Sequence, residues 1–143
     1  MNIDSLIGLA KVFHIKSEEK ISLDDISELD IEAGDRVLFK TANSEVDPEA
    51  EFFHEQYVYL SQEAARFLAA REVQTVGVDY SNISKFPGGV QVQKILSNAD
   101  IRIIEGLKLD GISEGTYDMM CLPVKSGNEI TSPSRVILKP FAA

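Results

Sequence analysis

The sequence predicts an α/β fold with a mixed sheet and flanking helices. Three observations predict it. Strand-like runs of apolar and β-branched residues alternate with short amphipathic helical segments, the order of a sheet wrapped by helices. The run Thr75-Val76-Gly77-Val78-Asp79-Tyr80 reads as nearly continuously apolar, as a strand covered on both faces does. The last strand-like runs follow one another with turns and loops between them instead of helices, so the pattern β-α-β-loop-α-β-α-β-β-β is mixed.

Leu6 to Ile15 form the first strand, rich in β-favouring residues, with Lys11 and His14 as polar positions near its end. Lys16 to Lys20 form a charged turn. Ser22 can cap the short helix that follows, Asp24 and Asp25 suit the positive end of its dipole, and Leu23, Ile26 and Leu29 give it an apolar stripe. Gly34-Asp35 turns the chain into a strand at 36–41. Residues 42–56 form a loop with five acids: Glu45, Asp47, Glu49, Glu51 and Glu55. Tyr57-Val58-Tyr59-Leu60 leads to Ser61, the N-cap of a helix over 62–71 whose apolar side is Ala64, Ala65, Phe67 and Leu68. After the strand at 75–80 comes a loop over 81–89 with the turn signal Pro87-Gly88-Gly89. A short helix over 91–98, a strand over 101–107, turns at Asp110-Gly111 and Glu114-Gly115, and strands at 116–124 and 134–141 complete the reading.

The chain has 143 residues, the length of one domain spanning residues 1–143, and its 44% hydrophobic and 26% charged composition is that of a globular protein. A net charge of −9 argues against a grip on nucleic-acid phosphates or an anionic membrane surface. The single cysteine, Cys121, rules out an intrachain disulfide framework and fits a reducing cytoplasmic setting. No apolar run approaches the roughly 20 residues of a membrane span, and the first residues lack the pattern of a signal peptide.

Chemistry-bearing motifs are few. Pro87-Gly88-Gly89-Val90 lacks the spacing of a dinucleotide fingerprint and reads as a turn. No nucleophile elbow occurs. Cys121 sits in the apolar run Met119-Met120-Cys121-Leu122, the setting of a core residue rather than a nucleophile. His14 ends a strand beside Lys16. His54 lies among Glu51 and Glu55, a weak candidate metal site weighed against a solvated acidic loop with no fixed ligand geometry. Two acids interrupt apolar strands at their carboxyl ends, Asp79 and Glu105. Open α/β sheets place ligands there, and strand-end acids also cap neighbouring turns.

Several segments resemble the cyclase family of metal-dependent hydrolases, the group that includes bacterial kynurenine formamidase (arylformamidase) and isatin hydrolase. They are residues 34–44, Val58 to Leu68, Val76 to Tyr80, Val92 to Leu96, Ile103 to Leu107, Gly115-Thr116-Tyr117, Cys121 to Lys125 and Ser134 to Leu138, in family order over nearly the whole chain. The resemblance implies a swivelling β/β/α-type fold and metal-dependent amide hydrolysis, usually with Zn or Mn, on a small-molecule amide. A divalent ion there lowers the pKa of bound water to about 7 and polarises the carbonyl.

The family draws its ligands from an amino-terminal H-x-G-T-H-x-D motif with a further histidine soon after, and from a His and a Glu twelve residues apart. The motif is absent here, which implies an amino-terminally shortened member. In the later unit Glu105 is kept as the metal ligand by resemblance, but Gln93 stands where the family has His. A neutral amide oxygen is a poorer zinc ligand than imidazole, and one carboxylate cannot hold a catalytic zinc that normally has three protein ligands. No confident catalytic residue follows. Three readings remain: a non-catalytic binding or oligomerising module, one piece of a split hydrolase completed by another chain, or an active hydrolase with an unusual ligand set. Gln93 weighs against the last two. A shortened fold should bare apolar surface, so a homo-oligomer or a complementing chain is the expected partner.

Overall fold

A computed structural model describes residues 3–45, 56–124 and 131–141. A short 3₁₀ turn, Ile3–Leu6, leads into β1 (Ile7–His14). Then come β2 (Lys20–Ile21), α1 (Leu23–Ile26), β3 (Arg36–Lys40), a second 3₁₀ turn at Ala42–Glu45, β4 (Tyr59–Leu60) and α2 (Gln62–Ala70). The chain continues through β5 (Thr75–Val78), α3 (Val90–Asn98), β6 (Arg102–Ile104), β7 (Gly115–Pro123) and β8 (Ser134–Pro140).

Six strands form one mixed sheet in the order β6-β5-β3-β1-β7-β8. Four are parallel: β1 with β3, β3 with β5, and β5 with β6. Parallel neighbours need crossovers, which α2 supplies between β3 and β5, and α3 between β5 and β6. The strands β7 and β8 then run antiparallel on the far side of β1, joined without a helix. The α/β mixed-sheet expectation holds.

Alternation along the strands builds two cores. Val37, Phe39, Val76 and Val78 face α2 and α3 and pack with Leu68 and Leu96. Leu38, Ala10, Val12 and Ile104 face the other way and meet Tyr117, Met119 and Cys121 of β7. Strands from both ends of the sheet share that second core, so the sheet curls on itself. Gly77 sits at a close approach within it: a Cβ there would lie 2.5 Å from Leu38 Cδ2 and 2.7 Å from Leu107 Cδ1.

The helix caps follow the sequence. Ser61 Oγ accepts the Ala64 N–H at 3.1 Å, and Ser22 with Asp25 forms a full capping box on α1. Other expectations need correction. Helix α1 is a single turn, so Leu23 is 39% exposed and Ile26 alone of its residues is buried. The expected strand over 101–107 ends at Ile104, and that over 75–80 ends at Val78, which puts Glu105 and Asp79 just past the ladders. The supposed charged turn and the lead into Ser61 contain a two-residue parallel pair, Lys20 with Tyr59 and Ile21 with Leu60. Too short to show a period, it is held by the buried Ile21 and Leu60.

Candidate functional site

Because β1, β3, β5 and β6 are parallel, their carboxyl ends lie along one edge, where open α/β sheets bind ligands. Asp79 is 6% exposed at that edge. It accepts the Thr41 N–H and the Thr41 hydroxyl, both at 2.8 Å, and the Ser44 hydroxyl. Its oxygens are thus committed to the turn after β3. Of the two roles open to it, the structure shows turn capping.

Glu105 is placed differently. Gly106, with φ +75°, turns the chain after β6, and its N–H donates to Tyr80 O while the Leu107 N–H donates to Val78 O. This fixes Glu105 so that its Oε2 accepts the Ile83 N–H at 2.6 Å. The residue as a whole is open to solvent, but burial around the carboxyl group pushes its pKa up, against the opposing pull of the Ile83 bond.

Beside it the Tyr57 and Tyr80 rings stack at 4.1 Å and 12°. The Tyr57 hydroxyl donates to Ser84 O at 2.5 Å, and burial pushes the phenol pKa up. The loop between β5 and α3 carries a cis Phe86–Pro87 bond and leaves Phe86 63% exposed. Gly89 is obligatory there, since a Cβ would stand 2.3 Å from Lys85 O. The tyrosine stack was not legible in the sequence; its only signal is a pair of tyrosines, each beside a strand.

Gln93 lies on the exposed side of α3. His14 ends β1 with its Nε2 3.2 Å from Ile112 O, and its backbone N–H donates to Glu114 at 2.9 Å. Cys121 is buried, as its apolar run predicts, and burial pushes its thiol pKa up. His54, Glu51 and Glu55 lie outside the described residues, so that candidate cluster has no structural account.

The described residues do not fit the metal that the resemblance implies. Among the described residues no three His, Cys, Asp or Glu side chains converge to hold an ion. Glu105 offers one carboxylate, already bonded to Ile83, and Gln93 is neutral. No chemical step is therefore assigned to a metal here.

A cleft of about 930 Å³ opens between the two edges of the curled sheet. Arg102, Ile104 and Leu107 line one wall, Arg135, Val136 and Leu138 the other, with Cys121 among the lining residues. Glu105 and Lys108 also border it.

The sequence model of the family named Cyclase, described as "Putative cyclase", matches residues 1–85. The chain belongs to the Cyclase family. Among curated relatives of this cyclase-family chain, Cyclase-like protein 3 of Oryza sativa subsp. japonica is 31% identical over 142 residues, covering 96% of this chain and 53% of the relative. Kynurenine formamidase of Geobacillus thermodenitrificans is 27% identical, with 97% and 66% covered. A solved structure described as a potential metal-dependent hydrolase with cyclase activity is 38% identical, with a TM-score of 0.90, covering 96% of this chain and 67% of that one. An isatin hydrolase bound to the product analogue thioisatinate shares the fold at 16% identity and a TM-score of 0.72, with 95% and 61% covered. The chain spans about half the length of the plant cyclase-like proteins it matches. Gln93 and Glu105 lie beyond the stretch matched by the family model, though the pairwise matches run through nearly the whole chain.

Proposed function

We propose that this chain is a cyclase-family module that does not by itself hydrolyse amides and acts in the cytoplasm by binding or self-association. The carrying observation is the ligand inventory: Glu105 with Gln93 in place of an imidazole, and no convergence of three metal-binding side chains among the described residues. Relatives named kynurenine formamidase support an arylformamidase-like ancestry and a small-molecule amide as the ligand class. Zn or Mn would be the metal if another chain, or residues outside those described, completed a site. A formamidase assay tests the reading. The purified chain, supplied with Zn or Mn, is expected to give no turnover of N-formylkynurenine above buffer. Turnover by the chain alone, abolished by Glu105→Gln, would overturn it.

The split-hydrolase reading keeps one specific support: Glu105 sits at the carboxyl edge of the parallel strands, held in place by Ile83. Activity that emerges only on mixing with a chain carrying H-x-G-T-H-x-D would favour it.

A further inference from the structure

We propose that the cleft between β6 and β8 is a strand-acceptor groove, and that its occupant is an extended, acidic and apolar segment of another polypeptide. This deepens the binding role proposed above and rests on that reading only for the need of a partner.

Both walls are open sheet edges, since β6 and β8 are the two ends of the strand order. Among the described residues the backbone groups that turn outward can be assigned. Arg102 N–H donates to Gln74 O of the segment leading into β5, so by alternation the N–H and C=O of Ile103 point away from β5. On the other wall, Phe141 N–H donates to Thr116 O and Pro133 O accepts the Val124 N–H. The odd-numbered residues of β8 therefore bond β7, and Ser134, Val136 and Leu138 turn their backbone groups outward. A seven-residue edge of this kind offers about 23 Å of pairing surface. Pro140, the next outward position, has no N–H and ends the acceptor edge, and the stretch before it can recruit a strand.

The side chains then say what the strand should look like. Apolar groups, among them Ile104, Leu107, Leu109, Cys121, Val136 and Leu138, line the groove and ask for apolar residues at alternate positions. Arg102, on the same side of β6 as Ile104, and Lys108 border it together with Glu105, and neither cation is in an ion pair among the described residues. Two unpaired cations against the single carboxylate of Glu105, in a chain of net charge −9, make the cleft a local exception that attracts acids. A polypeptide occupant is favoured over a small molecule by the two facing edges.

The test uses the 143-residue chain and a fluorescein-labelled nine-residue peptide alternating valine and glutamate, read by anisotropy. Saturable binding is expected. A lysine-for-glutamate peptide should bind at least about tenfold more weakly, and so should the glutamate peptide against Arg102→Glu. N-methylation of alternate peptide amides should abolish binding, because it removes the donors that pair with the edge. Val136→Pro should do the same from the protein side, since its outward N–H is the one position class where a strand tolerates proline. Should that variant fail to fold by circular dichroism, the N-methylated peptide decides alone. No saturable binding of the glutamate peptide, equal binding of the N-methylated one, or equal binding of the lysine one would overturn the proposal. None of these readings depends on metal content or turnover, so its failure is distinguishable from failure of the non-catalytic reading.

Discussion

Asp79 and Glu105 look alike in sequence, each a carboxylate ending an apolar run, and their surroundings give them different work. Asp79 is buried with donors from Thr41 and Ser44, partners 38 and 35 residues distant. Replacing it by Ala would leave those donors without an acceptor at a cost of about 2–3 kcal/mol. Urea denaturation of Asp79→Ala should show the midpoint fall with an unchanged slope; an unshifted midpoint would contradict the capping role. Among the described residues Glu105 holds one protein donor, the Ile83 N–H. Glu105→Gln keeps an acceptor there and removes a charge that burial disfavours. It should therefore melt no lower than the parent at neutral pH, whereas Glu105→Ala should melt lower. Equal losses in both variants would mean that the charge itself holds the loop. Sequence could flag both acids as candidates, but it could not tell them apart, because the deciding partners come from distant turns.

The amphipathic helix α2 was legible to within a residue because Ser61 and the apolar spacing mark it independently. The parallel contact between β2 and β4 was not, since two residues carry no period. Caps give element-scale predictions. Ser61→Ala removes the acceptor for Ala64 N–H and should cost about 1 kcal/mol in thermal or urea unfolding. In α1, burial alone would raise the Asp25 pKa, but the Ser22 N–H and the hydroxyls of Ser17 and Ser22 outweigh it, so the net shift is downward from 3.8. A depressed folded pKa means a stabilising contribution that is present above the unfolded value and lost as pH falls through the folded one. Asp25→Asn should therefore flatten the acid limb of stability below about pH 4 and lower stability at neutral pH. An acid limb identical to the parent's would contradict this.

At the scale of the whole molecule, the curl and the cleft were invisible to sequence, because segments as far apart as Leu6, Arg102 and Leu138 line it. One face of the sheet carries several exposed apolar side chains. Ile7, Met120 and Ile137 stand in register across β1, β7 and β8, joined by Leu9 and Leu122, and each is more than a third exposed. We propose that this face mediates self-association. Light scattering at micromolar concentration should report a species larger than the monomer, and Met120→Lys with Leu122→Lys should reduce it; a monomeric parent would contradict this. Family membership accounts for a fold close to that of a solved potential metal-dependent hydrolase, and the non-catalytic role proposed for this chain rests on Gln93 in α3 and Glu105 at the end of β6. Metal stoichiometry tests that claim most directly. After incubation with excess Zn or Mn and removal of free ion, elemental analysis should find well below one ion per chain, with no difference between the parent and Glu105→Gln. One tightly held ion per chain, lost in Glu105→Gln, would contradict the account.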